Sequence, residues 1–555
     1  MTVLKGKGVV KGISFGKLSI KNSISSIDCN LKCKINDTQL EILRYENGKK
    51  AAIEHLKELY NKVCSEVDKE SAMIFEVHQM MIEDETYCSS IFDLIKNEKV
   101  NSEYAVSCVS KKMIDKLSKV DDEYIRERIA DIKDVSSLLI DCICGNVSRD
   151  CEINRKCILG ANDFTPSQTA EMNSETTKGL LMMNGTVNSH ACILAKAMNI
   201  PCVVGLGDQL KEEYDGKDII LDGFSGTIYI EPDVTTIKRL KKKLKMCQKH
   251  YELLNNLKGK ENITLDGKKI KLYANIGSIS DLNIVKGNDA GGIGLFRSEF
   301  LYLRRKNYPS EEEQFKVYKK VLEEMKDKEV VIRTLDIGAD KKVDYFDLPR
   351  EDNPAMGYRA IRICLDRPQI FKQQLRAIFR ASTFGKVSIM FPMIISLQEL
   401  KNAKKIVKEV KHELKESGIP FDKNVKVGVM IETPAAVFIS DELAKEADFF
   451  SIGTNDLTQY SLAIDRQNNK VSGMYDPYHK AILRMIKIVA DNAHKHGIWV
   501  GICGELAADE NLTELFLSLG IDELSMSAPF ILGIRKKIRE TNVDEVRDEI
   551  IKKFL

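Results

Sequence analysis

Three arginines, two carboxylates, a cysteine and a histidine are the residues of this 555-residue chain whose types and placing could do chemistry together. Arg297, Arg333 and Arg466 offer planar donor forks suited to a phosphate or a carboxylate. Glu432 and Asp456 suit magnesium, which takes a few protein oxygens and completes its shell with water and substrate phosphate. Asn455 stands beside Asp456, and Cys503, in "GICGEL", sits beside Glu505 where a thiol could pass a proton to bound substrate. His190 follows Gly185, Asn188 and Ser189 in "NGTVNSHACILAKAMNIPCVVG", just where an apolar helical run begins. Each has a plainer reading taken singly: a surface ion pair, a helix cap, a core thiol, a polar residue at a helix start. Taken jointly, the arginines, the carboxylates and the cysteine point to phosphate-and-magnesium chemistry if one face of one fold gathers them.

The elements that must do this gathering recur regularly through residues 262–555. The short apolar runs "IKLYANIG", "AGGIGLF", "EVVIRTLDI", "KVSIMFPMI", "KVGVMIET", "DFFSIGT", "IWVGICGE" and "DELSMS" read as eight strands, with helical patterns between several of them. That alternation predicts a closed (β/α)8 barrel of the TIM type, with an open doubly wound sheet as the alternative. Arg297, Arg333, Glu432, Asn455, Asp456 and Cys503 all come just after strands, so a barrel would bring them to one rim.

The first half has a different texture. Residues 1–20 read as short strands with glycine turns, about 37–145 as almost wholly helical, and the stretch up to 231 as strands alternating with short helices. Residues 232–261 form a charged amphipathic helix that reads as a linker. The resulting division is 1–20 with 146–231, an α/β domain; 21–145, a helical domain inserted into it; the linker; and the barrel, 262–555.

Composition excludes several classes. The formal charge of +2, from 84 Lys and Arg against 82 Asp and Glu, leaves no electrostatic footprint for nucleic acid. No apolar run is long enough to span a bilayer, and the opening "MTVLKGKGVVKG" has no signal-peptide core. The 14 cysteines form no CxxC pair, which argues against zinc and for buried thiols in a reducing cytoplasm.

The long motifs "DFTPSQTAEM", "SHACILAKAMNIPCVVG", "GIGLFRSEFLY", "VIRTLDIGADK", "NPAMGYRAIR", "VGVMIETPAA", "FFSIGTNDLTQYSLAIDR" and "GICGELAADE" run through most of the chain. It resembles the Enzyme I family of the bacterial phosphoenolpyruvate-dependent sugar phosphotransferase system. The resemblance implies phosphoryl transfer from phosphoenolpyruvate to His190 and then to the carrier protein HPr, which would dock on the helical domain. It places phosphoenolpyruvate binding on Arg297, Arg333, Lys341, Asn455 and Arg466, with Arg359 nearby. Glu432 and Asp456 become magnesium ligands and Cys503 the proton donor to the enolpyruvate. Thr169 becomes a hydrogen-bonding partner of the histidine or its phosphate, the α/β domain a phosphohistidine swivel domain, and the barrel the contact of a homodimer. An imidazole suits this role, being a good nucleophile near neutral pH at a helix start whose free N–H groups favour phosphate.

Several residues depart from the family pattern. Asn184 and Asn188 stand for a Gly and a Thr before the histidine, Lys196 for an Arg after it, Ala339 for a Gly, and Lys11 for a Pro; none removes a reacting group. Pyruvate phosphate dikinase and phosphoenolpyruvate synthase share the phosphohistidine and barrel motifs but carry a nucleotide-binding domain. A non-catalytic phosphoenolpyruvate sensor is a further alternative, and the full set of reacting residues argues against it. In "HQMMIEDETY", His78 reads as structural. Met80 and Met81 beside Glu83, Asp84 and Glu85 read either as a carrier-docking patch or as helix core.

Overall fold

In the computed structural model all residues are described except 21–31, 67–68, 119–122, 146–155, 173–175, 186–188, 304, 340, 342, 467 and 469. Asn188, and most of the stretch where the helical segment returns to the α/β domain, therefore lie outside the described residues. Two compact units divide the chain, Met1–Lys249 and His250–Leu555.

The first unit opens with β1 (Thr2–Lys5), β2 (Lys7–Val10) and β3 (Ile13–Ile20). Five helices follow: α1 (Thr38–Glu66), α2 (Lys69–Glu83), α3 (Glu85–Glu98), α4 (Ser102–Leu117) and α5 (Glu123–Cys144). The chain then returns through β4 (Cys157–Ala161), α6 (Pro166–Glu171), β5 (Thr177–Met182), α7 (His190–Ala197), β6 (Cys202–Val204), β7 (Asp218–Asp222) and β8 (Thr227–Ile230). Eight strands make one sheet in the order β1-β8-β7-β3-β4-β5-β6-β2, parallel from β3 to β6 and antiparallel elsewhere.

Successive strand residues point to opposite faces, and the sequence supplies apolar side chains for both. Leu159, Leu180 and Cys202 face Ala191, Cys192 and Ala195 of α7, whereas Ile158, Leu181 and Val203 pack with Leu221 and Ile228 on the other side. The helices keep a core of their own around Tyr45, Leu56, Phe75, Ile91, Val106 and Leu139, joined by Ala170 of α6 and Leu194 of α7. His78 is fully buried in this core, Nε2 at 3.4 Å from Asp131 and Nδ1 at 3.7 Å from Asp134, the setting of a structural histidine. The boundary between the units falls within α8 (Val234–Asn255), the charged helix anticipated at 232–261. No described helix is long and apolar enough to cross a membrane.

The second unit is the closed barrel. Its strands are β9 (Lys271–Ile276), β10 (Ile293–Arg297), β11 (Val330–Arg333), β12 (Val387–Phe391), β13 (Lys426–Ile431), β14 (Phe449–Ile452), β15 (Trp499–Ile502) and β16 (Glu523–Met526). All neighbouring pairs are parallel and β16 closes onto β9, so the open sheet is excluded. Each of the eight apolar runs in the sequence supplies one strand. Side chains buried on both faces explain why these strands read as nearly continuous apolar runs. Leu295, Val331, Met390, Met430 and Phe449 fill the interior. A larger shell of Ile, Leu, Val and Phe lies between strands and helices.

Candidate active site

The barrel delivers its polar residues to the C-terminal ends of its strands. Arg297 and Arg333 are the last residues of β10 and β11 and stand directly opposite in the strand register. Glu432 follows β13, Asn455 and Asp456 open the helix Thr454–Leu462 after β14, and Cys503 follows β15. Gly504 lets two of these loops meet, because a Cβ there would fall 1.9 Å from Thr454 Oγ1.

Arg333, Glu299, Asp336 and Arg359 are all buried and joined by ion pairs. Arg333 Nη2 lies 2.6 Å from Glu299 Oε1 and 2.9 Å from Asp336 Oδ2, and Arg359 Nη2 donates to Asp336 Oδ1 at 2.9 Å. Lys341 Nζ donates to the Asp336 carbonyl at 2.7 Å and lies 3.8 Å from Glu299. Burial works against the Asp336 carboxylate, yet Arg333, Arg359 and Lys341 together hold its pKa well below the usual range. Neither Glu299 nor Asp336 stood out in the sequence, although "RSE" and "RTLD" place a carboxylate two and three residues after each strand-end arginine.

Glu432 is 1% exposed, and its Oε1 accepts from the Met393 N–H at 2.7 Å. Burial, with the charges of Asp456 and Asp336 adding to it, pushes its pKa up to about 8. A buried carboxylate tethered by a backbone N–H, with half-buried Asp456 repelling it, fits a magnesium ion completed by water and substrate. Among the described residues no cluster of three or more His, Cys, Asp or Glu forms a complete protein cage.

Cys503 is buried in the barrel interior, and its thiol points to the Ile452 carbonyl at 3.7 Å. Burial pushes the thiol pKa up to about 12, so it keeps its proton at neutral pH. Asn455 and Glu505 share two hydrogen bonds, and Arg466, exposed, lies 3.8 Å from Glu505.

The remaining candidates belong to the first unit. His190 is the first residue of α7, and Ser189 caps that helix by accepting from the Cys192 N–H at 3.4 Å. Asn184, at a family departure, ties the end of β5 to the end of β4 through Nδ2 to Asn162 Oδ1 at 2.7 Å. Thr169 is buried in α6, whose start is fixed by a Thr165–Gln168 capping box and Pro166. Its hydroxyl donates to the Thr165 carbonyl at 2.8 Å.

A closed parallel barrel whose rim sets the strand-end Arg333 and nearby Arg359 in a buried ion-pair group defines an enzyme class built to hold an anionic substrate. Comparison with known proteins makes the class specific. The sequence pattern described as PEP-utilising enzyme, PEP-binding domain, matches residues 251–543; the corresponding N-terminal pattern matches 5–128 and the mobile-domain pattern 153–226. The phosphoenolpyruvate-protein phosphotransferase of Haemophilus influenzae is 44% identical over 541 residues, covering 97% of this chain and 93% of the relative. That of Staphylococcus carnosus is 42% identical, covering 93% and 90%, and that of Mycoplasma capricolum 41% identical, covering 100% and 99%. The chain belongs to the PEP-utilising enzymes, and within them to the phosphoenolpyruvate-protein phosphotransferase family.

Proposed function

We propose that this protein moves the phosphoryl group of phosphoenolpyruvate to the imidazole of His190 and from there to the carrier HPr, releasing pyruvate. This is the first step of phosphotransferase sugar transport in the cytoplasm. The observation that carries the reading is the buried pair Arg333 and Arg359, with half-buried Lys341, beside Glu432 and Asp456 on one barrel rim.

Arg333, Arg297, Lys341, Asn455 and Arg466, with Arg359 behind them, bind and orient the substrate's phosphate and carboxylate. The imidazole attacks phosphorus, an N–P bond forms, and the bond from phosphorus to the enol oxygen breaks. Glu432 and Asp456 would hold a magnesium ion, whose charge would offset that of the transferring group. The enolate carbon then takes the proton of the Cys503 thiol to give pyruvate, and the thiolate recovers a proton from water. Thr169 already spends its hydroxyl proton on Thr165, so towards the histidine it acts as an acceptor of the imidazole N–H and fixes the tautomer. Transfer needs near contact, so His190 of the first unit must reach the substrate on the second. A homodimer joined through the barrel belongs to the same reading, and Phe438 and Met474 are exposed there.

Labelled phosphoenolpyruvate with magnesium and no ATP tests the reading. Label should appear on His190, disappear in H190A, and fall to background in E432A and D456A, which should also lose the heat of magnesium binding. Labelling of H190A, or a strict need for ATP, would overturn it.

A further inference from the structure

We infer that Asp336 is a positioning residue of the substrate pocket: its carboxylate places Arg333 against Arg359, and its carbonyl places Lys341, which fixes the spacing of the cations around the substrate's phosphate. The inference rests on the reading above, because it concerns the same site.

The geometry is specific. Each Asp336 oxygen holds a different arginine, Oδ2 with Arg333 at 2.9 Å and Oδ1 with Arg359 at 2.9 Å, while its own carbonyl takes Lys341 Nζ at 2.7 Å. Arg333 ends β11, Asp336 and Lys341 follow it, and Arg359 comes from just before the helix Ile361–Asp366. A single residue thus joins cations from separated parts of the chain. Like charges this close, left alone, repel one another and swing apart; the carboxylate between Arg333 and Arg359 gives both arginines a fixed place before any substrate arrives, and the carbonyl of the same residue does so for Lys341. Glu299 adds a second carboxylate on Arg333, its Oε1 at 2.6 Å from Nη2 and 3.8 Å from Lys341 Nζ. Arg333 also keeps a buried Nε–H that has no partner among the described residues, a donor left for an incoming anion.

Charge alone and positioning predict opposite signs. D336N removes a negative charge from beside three cations, so the field of the site would draw an anionic substrate more strongly. If Asp336 acts by placing the cations, the variant binds phosphoenolpyruvate more weakly. We expect the dissociation constant, measured by calorimetry with magnesium on the full-length protein, to rise about 10- to 100-fold, the scale of a small misplacement at a reacting centre. A double-mutant cycle separates this from general destabilisation. R359Q should weaken binding in the native background and add little in D336N, because the arginine acts through a position already lost.

Unchanged or tighter binding by folded D336N, or fully additive losses in the cycle, would overturn the inference. D336E keeps the charge on a longer arm and should recover part of the affinity. If neither variant shows a barrel melting transition, Asp336 is a structural ion-pair centre and the inference falls. Wild-type protein that takes no label from phosphoenolpyruvate would instead remove the functional reading itself.

Discussion

Asn455 and Glu505 exchange two hydrogen bonds, Asn455 Nδ2 to Glu505 Oε1 at 3.1 Å and Glu505 N–H to Asn455 Oδ1 at 3.3 Å. The pair fastens the helix that carries Asp456 to the loop that carries Cys503. Asn455→Ala breaks both bonds at once and should raise the KM for phosphoenolpyruvate by about 10- to 100-fold, as expected for a lost orienting contact. Glu505→Gln keeps an acceptor oxygen and the backbone N–H, so its KM should stay within about threefold of wild type, less than one typical hydrogen bond's worth. Steady-state release of pyruvate measures both. An Asn455→Ala enzyme with native KM would detach this pair from the site.

The Cys503 thiol, raised to about 12 by burial, has a consequence for reactivity. Only the thiolate alkylates, so at pH 8 the reactive fraction is about a thousandfold smaller than for an ordinary thiol of pKa about 8.5. Iodoacetamide at pH 8 should therefore modify exposed Cys33 well before Cys503, read by peptide mass spectrometry. Cys503→Ala should retain phosphoenolpyruvate binding and lose about two orders of magnitude or more in pyruvate release, the scale of a lost general acid. Fast alkylation of Cys503 would show a thiolate, which cannot donate the proton.

Much of this architecture was legible in the sequence because the interactions are local and periodic. The apolar runs that became β9 to β16 need only a period and a length, and Ser189 announces the start of α7 as a cap does. What stayed hidden depends on burial. Glu299 and Asp336 look in the sequence like ordinary charges near a strand end; only closure of the barrel removes them from water and hands them to Arg333 and Arg359. Thr169 was singled out by family resemblance, but the direction of its hydroxyl, spent on Thr165, follows from helix geometry alone.

Asp84 teaches the same lesson at the proposed carrier surface. In the sequence it belongs to the acidic run Glu83–Glu85, whereas in the structure its carboxylate caps α3 by accepting from the Tyr87 N–H at 2.8 Å. Met80 is 67% exposed, while Met81 packs against the helical core. Glu83 is the cleaner probe of a charged rim, since it caps nothing. Glu83→Lys should slow phosphoryl transfer to HPr at low salt and leave phosphorylation by phosphoenolpyruvate unchanged. Asp84→Lys should additionally cost about 1 kcal/mol of stability through the lost cap, seen in a thermal melt. Equal transfer rates for Glu83→Lys and wild type at low salt would move the docking surface elsewhere.

The division of the chain into two compact units separates the chemistry into testable halves. Every residue assigned to phosphoenolpyruvate and magnesium lies in His250–Leu555, whereas His190, Thr169 and the helices proposed to meet HPr lie in Met1–Lys249. The first unit has apolar cores on both faces of its sheet and another among its helices, so it does not depend on the barrel for burial. A fragment of residues 1–258, which keeps α8 whole, should fold and accept phosphoryl from phosphorylated HPr on His190. It should take none from phosphoenolpyruvate, since the arginines, Lys341 and both carboxylates are missing. The complementary barrel fragment should bind phosphoenolpyruvate in calorimetry and stay unlabelled, having no His190. Mixing the two should restore some labelling of the first fragment, slowly and in proportion to barrel concentration, because an encounter replaces the tether. Direct labelling of the 1–258 fragment by phosphoenolpyruvate alone would place the substrate site in the wrong half of the molecule.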